Sequence, residues 1–149
     1  MGGRMADNEE RLFTHAGHRC KVRKIEMGHW TGYAQTSLSG FTESDLYGHG
    51  HRLIEAHGGV TYGPDADGWV GFDTAHAGDL CLNEDGEPWG TMYVEHGREP
   101  TELRRYGSVE ACERASDCNV WRLKDVREET ERLAEQLSLL EGFAAAVDS

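Results

Sequence analysis

The sequence predicts an α+β fold in which a small antiparallel sheet packs against one long carboxyl-terminal helix. Short runs rich in β-branched and aromatic residues, separated by glycine-bearing turns, fill much of the first two thirds of the chain. Apolar residues then recur at steps of three and four over 122–141, the period of an amphipathic helix. The length suits one domain over 1–149. We expect the sheet to be built from segments near 20–35, 59–73 and 91–95.

The amino-terminal end is polar and acidic, and we expect residues 1–15 to form a loosely ordered leader. It contains no apolar stretch of the kind that a secretory signal needs. Residues 19–36 follow and predict two strands joined by a turn around Gly28. A polar, glycine-bearing loop over 37–50 and a short helical turn over 51–56 complete this part of the chain.

A hairpin is expected in the middle of the chain. Residues 59–62 and 68–73 have the composition of strands, and the Gly-Pro-Asp-Ala-Asp segment between them, 63–67, is typical of a turn. After a polar loop at 83–90, residues 92–94 predict one further short strand.

The last third of the chain is helical in pattern. Ser108 is a suitable N-cap for a short helix ending near Ser116. The long helix carries one apolar stripe, in which Thr130 fills the missing position: Leu123, Val126, Leu133, Leu137 and Leu140. Glu128 and Arg132 are spaced to pair on its other face, and Gly142 is expected to end it. The stripe predicts a core face or, as an alternative, the seam of a homodimer.

Composition restricts the function classes. The formal charge is −12, from 27 acidic against 15 basic residues, and such a field disfavours binding of a nucleic-acid polymer. No apolar run approaches the length of about 20 residues that spans a membrane, so we expect a soluble, cytoplasmic protein without membrane contact. The four cysteines form no C-x-x-C pair, which favours reduced thiols over a disulfide scaffold or zinc site: Cys20, Cys81, Cys112 and Cys118. A low lysine content is also typical of halophilic proteins.

The stretch from His57 to Asp79 carries the densest set of functional groups. It reads His-Gly-Gly-Val-Thr-Tyr and, after the turn, Trp-Val-Gly-Phe-Asp-Thr-Ala-His-Ala-Gly-Asp. Its glycines can expose backbone N–H groups to an anion, and its aromatic rings can stack on a planar ligand. The predicted ligand-binding residues are His57, Gly58, Gly59, Thr61, Tyr62 and Trp69.

Three further residues in this stretch suit catalysis. Asp73, His76 and Asp79 lie at intervals of three, and a carboxylate beside an imidazole raises its basicity for general-base work. The candidate set for a divalent metal is His57, Asp73 and His76, although no metal is firmly predicted. Structural alternatives stay open: the glycine pair can be a plain turn, and His76 a hydrogen-bonded corner. His49 and His51 are expected to be solvated loop residues.

These motifs resemble a family of small uncharacterised proteins of bacteriophages, especially those of actinobacteria, with relatives in archaea and their viruses. The resemblance rests on residues 30–33, 57–62 and 71–79 and on the closing helix, and it covers about 19–140. It implies a viral or prophage origin, and a counter-defence role is the expectation that comes with it. It implies no defined activity.

Three hypotheses of function arise from these residues. The first is binding of a small anionic or nucleotide-like ligand, such as a signal molecule to be sequestered. Tyr62, Trp69 or Trp30 would stack on its base, and positive charge would come from the first basic strand or from a residue beside the motif: Arg19, Lys21, Arg23 and Lys24, or Arg52. The second is a hydrolase in which His76, oriented by Asp73 or Asp79, activates water. The third is an acidic factor that blocks another protein.

Overall fold

Four strands form an antiparallel sheet in the order β1-β2-β3-β4. In the computed structural model, which describes residues 4–38 and 54–148, they are β1 (Glu10–His15), β2 (His18–Ile25), β3 (His29–Gln35) and β4 (Trp69–Asp73). β1 and β2 are joined by a two-residue turn whose residues both have positive φ, and β2 and β3 meet at the predicted turn before His29. The expected α+β fold with an antiparallel sheet is confirmed.

One face of this sheet is covered by the long helix α3 (Leu123–Asp148), which packs on β2 and β3. The predicted stripe is the buried face, with Val126, Thr130, Leu133 and Leu137 almost fully covered. The helix crosses the sheet at Gly32, where a Cβ atom would lie 2.1 Å from the Thr130 hydroxyl oxygen. Only glycine allows this approach, so the close packing of the helix on the sheet requires glycine at residue 32.

A second, smaller layer follows β4. Two short strands, β5 (Asp79–Cys81) and β6 (Asn119–Trp121), pair in parallel, and between them lie α1 (Thr101–Tyr106) and α2 (Val109–Arg114). Ser108 caps α2 as predicted by accepting a hydrogen bond from the backbone N–H of Ala111. The apolar centre of this smaller layer consists of Leu80, Leu82, Cys112 and Cys118. The parallel register sets Asn119 beside Asp79 and Trp121 beside Cys81.

Several sequence-based expectations about elements are wrong. Residues 10–15 form an edge strand instead of a loose leader, because Phe13 packs against the core and both ring nitrogens of His15 contact glutamates of α3. Residues 92–94 lie in a π-helical turn, Thr91–Glu95, because short apolar runs suit a strand and a helical turn alike. Residues 59–62 make only an isolated bridge, Tyr62 to Gly71, so the predicted hairpin is a strand with a loop beside it.

The long helix also differs in two details. It passes through Gly142 to Asp148, because the alanines that follow are strong helix formers and nothing packs near the glycine. Arg132 pairs with Glu129 at 2.7 Å rather than with Glu128. Residues 39–53 lie outside the described residues, and with them most of the predicted loop at 37–50, the first residues of the predicted turn at 51–56, and His49, His51 and Arg52. Within the described part of the chain, no helix is long and apolar enough to cross a membrane.

Candidate functional site

The turn that connects β4 to β5 holds three of the predicted site residues. Asp73 ends β4, and its Oδ1 accepts a hydrogen bond of 2.9 Å from the backbone N–H of Ala75. Asp79 begins β5, and its Oδ2 accepts one of 3.1 Å from the backbone N–H of His76. The backbone N–H of Asp79 donates in return to the His76 carbonyl at 3.0 Å. The predicted intervals of three therefore belong to a closed turn and not to a helix.

Asp79 is the centre of the site. Its side chain is 1 % exposed, and His57 Nε2 lies 2.8 Å from its Oδ1 and 2.9 Å from its Oδ2. The indole N–H of Trp121 donates to the same carboxylate at 3.1 Å. Burial alone would raise the pKa of Asp79, but the hydrogen bonds from His57 and His76 outweigh burial, so the pKa is lowered. A buried carboxylate with this many donors is held ionised.

His57 is the partner of this carboxylate. The hydrogen bond to Asp79 raises the pKa of His57 above its ordinary value of 6.5, against the opposing effect of burial. Its ring lies 4.6 Å from that of Trp121, and its backbone N–H donates to Oε2 of Glu129 on α3 at 2.9 Å. His57 therefore joins the loop before Gly58 to the small layer and to the long helix.

His76 makes a second contact between a histidine and an aspartate. Its Nε2 lies 3.1 Å from Oδ1 of Asp73, but the two atoms are not aligned for a hydrogen bond, and this buried nitrogen has no hydrogen-bond partner among the described residues. Gly58 lies directly against it, with φ of +68°. The His57 and His76 rings meet edge to face, with centroids 5.6 Å apart. That separation leaves no room for a substrate group between the rings.

His57 and the three predicted catalytic residues Asp73, His76 and Asp79 are thus brought together, whereas the other predicted ligand-binding residues are divided. Gly58 belongs to the cluster. Gly59 is buried, and its backbone N–H donates to Ala56 at 2.8 Å, so this N–H is not free for an anion. Thr61, Tyr62 and Trp69 lie along the edge and outer side of the sheet, away from the cavity that His76 and Asp79 line. Trp30 is fully buried in the core and is not placed to stack on a ligand.

A metal set is not formed by the candidate ligands. Within residues 4–38 and 54–148, no group of three or more His, Cys, Asp and Glu side chains is arranged to hold a metal ion. The physical reason is local: Nε2 of His57 is bound to Asp79, and Nε2 of His76 is directed toward Asp73 and covered by Gly58.

A cavity of about 390 Å³ opens beside the cluster, within the size range of small-molecule sites. His76 and Asp79 form one wall, with Thr74, Ala75, Ala77 and Cys81 from the same stretch. The opposite wall comes from the start of β3, the π-helical turn and α1: Met27, Gly28, His29, Met92, Tyr93, Thr101 and Glu102. Glu102 also links α1 to the turn between β4 and β5, because its Oε1 accepts a hydrogen bond of 3.2 Å from the backbone N–H of Gly78.

The cavity lining contains no lysine and no arginine among the described residues. Burial lowers the pKa of His29, against the opposing charge of Asp73, and burial raises the pKa of Tyr93. Burial also raises the pKa of the Cys81 thiol to about 11. At neutral pH these three side chains are therefore uncharged, and the carboxylates of Asp79 and Glu102 are the acidic groups of the lining.

Sequence reasoning missed several residues of this site. Trp121 and Glu102 follow Asp79 by many positions, and the parallel pairing of β5 with β6 and the docking of α1 are what bring them near. His29 and Tyr93 were likewise not recognised. A weak indication existed for Trp121, since tryptophan is on average highly buried in folded proteins. No protein-family model, no curated protein and no solved structure matches this chain.

Proposed function

We propose that the cavity beside His76 and Asp79 binds a small polar molecule that is uncharged or positively charged. The observation that carries the proposal is the lining itself: ionised or hydrogen-bonding groups converge on one concave space, and none of those described is a lysine or an arginine. An anion would meet the carboxylate of Glu102 without a compensating cation in the lining, and desolvation would oppose its entry. A ligand with N–H or O–H donors would find acceptors.

The methionines and the tyrosine at the cavity rim suit the apolar part of such a ligand. Met27 and Met92 are 49 % and 40 % exposed, and both line the cavity. Methionine adapts its shape to a ligand and makes favourable contacts with rings. A compact molecule with one apolar side and one donor-rich side therefore complements the two walls best.

The test is a fragment screen by ligand-observed NMR with three sets matched in size: neutral, cationic and anionic. We expect neutral and cationic fragments to bind, and Glu102→Gln to weaken the cationic ones most, because glutamine keeps the acceptor for Gly78 and loses the charge. Glu128→Gln, an equivalent change on the long helix, is the matched control. A predominance of anionic fragments, or equal binding to both variants, would refute the proposal.

Hydrolysis of the bound molecule is a second candidate function. It is favoured by one observation: His76 lines the cavity, and its Nε2 lies 3.1 Å from Oδ1 of Asp73, close enough for a small rotation of the ring to bring the pair into the hydrogen bond that a general base requires. Water would be the nucleophile. Incubation of confirmed ligands with wild-type protein and with His76→Gln, followed by chromatography of the released molecule, separates hydrolysis from binding. An altered product from the wild type alone supports an enzyme, and unchanged ligand from both supports a binding protein.

The viral origin, the counter-defence role, the host-cytoplasmic location and the protein-blocking alternative stay predictions from sequence, since the cavity bears on none of them. The predicted anionic ligand is not favoured at this cavity.

A further inference from the structure

The face of the sheet that is turned away from α3 carries an unusual set of side chains for so acidic a protein. Along β2, Cys20, Val22 and Lys24 point toward the core, and the alternating residues point outward. The residues of β2 that point outward before Ile25 are all basic: Arg19, Lys21 and Arg23. Together with the aromatic residues beside them they form a surface, here named the outer face: Arg19, Lys21, Arg23, Tyr33, Trp69 and Tyr62.

Aromatic rings and cations are interleaved on the outer face. Nζ of Lys21 lies 4.4 Å from the ring centroid of Trp69 and 5.1 Å from that of Tyr33. Arg19 lies over Trp69 at 5.9 Å. These contacts cover Trp69 from solvent and make it the floor of the surface rather than a place where a ligand stacks.

Tyr33 and Tyr62 provide the accessible rings. Tyr33 lies across Gly71, where a Cβ atom would be 2.4 Å from the ring, so only glycine lets the ring pack this closely on the sheet. Tyr62 meets Tyr33 edge to face at 5.4 Å and is 45 % exposed. A hydrogen bond of 2.9 Å from its hydroxyl to Asp65 fixes its direction. An exposed tyrosine held in this way offers a preorganised surface for a planar ring.

The arginines of the outer face have no acidic partner among the described residues. Lys21 pairs with Glu10 at 3.6 Å, but neither Arg19 nor Arg23 forms an ion pair within that part of the chain. Nε of Arg23 is buried without a hydrogen-bond acceptor there. Its register partner on β3, Thr31, is buried as well and leaves its hydroxyl oxygen without a partner in the described ranges. Glu10 on β1 and Asp73 on β4 are the register neighbours of Arg23 and Thr31, yet no described carboxylate forms an ion pair with Arg19 or Arg23, and the hydrogen-bonding capacity of Arg23 Nε and of the Thr31 hydroxyl is unfilled.

We propose that the outer face binds a free nucleoside phosphate, with the base stacked on Tyr62 and the phosphate held by Arg23 and Arg19. Guanidinium groups match phosphate oxygens with paired N–H donors, and base stacking on tyrosine needs no particular base. Arg19 and Arg23 are four positions apart on one strand, so their Cα atoms are about 13 Å apart, and two arginine side chains that extend toward each other span that distance and meet at one phosphate. Glu10 and Asp65 flank the surface and repel a longer polyanion. This site lies outside the cavity beside His76, and its ligand is of opposite charge.

The experiment titrates AMP, adenosine and inorganic phosphate separately into the ¹⁵N-labelled protein and follows the amide signals. We expect AMP to shift signals of residues 19–23, 31–33 and 62, and to bind about tenfold or more tighter than either fragment, as one charge-assisted contact implies. The double variant R19Q/R23Q should weaken AMP binding by about tenfold or more. R104Q/R105Q, the same charge change on the exposed face of α1, should leave it unchanged.

Four results would overturn the proposal. The first two are that AMP at millimolar concentration leaves the outer-face signals unmoved, or that its largest shifts fall around His76. The third is that both double variants lose binding equally. The fourth is that a ten-nucleotide single strand binds while AMP does not. Circular dichroism of the variants before titration shows that each is folded.

A supplementary variant, Tyr62→Leu, tests stacking without a change of charge. It should weaken AMP and leave the response to inorganic phosphate as in the wild type.

Discussion

Gly58 lies in direct contact with the imidazole of His76. A Cβ atom at residue 58 would be 2.2 Å from Nε2 and 2.5 Å from Cδ2 of that ring, and residue 58 has φ of +68°. Gly58 therefore has a defined role in the site. It lets the loop that carries His57 close over the turn that carries His76, and it buries the nitrogen of His76 that is turned toward Asp73.

The first prediction concerns this contact. Gly58→Ala should displace the His76 ring and separate it from Asp73, because the new methyl group occupies the space of the imidazole. Gly17→Ala is the control: its φ is +80°, and nothing lies within 4 Å, so it adds only left-handed strain of about 1–2 kcal/mol. Imidazole ¹⁵N spectra should show His76 shifted in the first variant and unchanged in the second. Identical spectra would mean that the glycine serves the turn alone.

The second prediction concerns Asp79. Asp79→Ala should lower the free energy of unfolding by about 3–5 kcal/mol, because it leaves a partly buried histidine charge and a buried indole N–H without their acceptor. Asp7→Ala, at an exposed position, should change it by less than about 0.5 kcal/mol. Urea denaturation measures both. A loss below about 1 kcal/mol for Asp79→Ala would show that the carboxylate is reserved for a ligand rather than for the fold.

The third prediction is the pH dependence of this ion pair. The pKa of His57 is raised above 6.5, so its contribution to stability is complete below pH 6.5 and is lost as the pH rises through the folded-state pKa. The pKa of Asp79 is lowered below 3.8, so its contribution is complete above pH 3.8 and is lost as the pH falls through the folded-state pKa. Wild type should therefore exceed His57→Gln in unfolding free energy most clearly between pH 3.8 and 6.5.

Urea denaturation of both proteins from about pH 3 to about pH 9 measures this difference, with His96→Gln as the control at an exposed histidine. The control should follow the wild type throughout. A difference between wild type and His57→Gln that stays constant from about pH 5 to about pH 9 would show that His57 does not carry a charge in the folded protein.

The sequence was sufficient for those features that depend on local patterns. The stripe from Val126 to Leu137 has the period of a helix, so its buried face could be read without knowledge of its partner. The convergence of Asp73, His76 and Asp79 was also accessible, because seven consecutive residues in one turn cannot lie far apart. His57 joined them in the prediction because it begins the same stretch, which is dense in His, Asp and Gly.

Features that depend on distant pairing were not accessible. The parallel contact of β5 with β6 joins residues about 40 positions apart, and no periodicity marks either three-residue strand. Lys24 is another example: it is 1 % exposed and contacts Glu84, the carbonyl of Met5 and the rings of Trp30 and Trp89. A buried lysine is tolerated only when such partners surround it, and those partners come from three separate parts of the chain.

The fourth prediction tests the packing on which the whole site depends. Leu133 and Leu137 of α3 lie against the sheet and are at most 1 % exposed, whereas Leu139 on the same helix is 76 % exposed. Replacement of either buried leucine by alanine should lower the free energy of unfolding by about 2–5 kcal/mol, through lost apolar burial and the cavity left behind. Leu139→Ala should change it by less than about 0.5 kcal/mol, because its side chain is already in water and alanine is the better helix former. Chemical denaturation compares the three variants at one pH.

A loss below about 1 kcal/mol at both buried positions would contradict the core assignment. A loss at Leu139 that depends on protein concentration would place a second copy of the chain on that side of the helix.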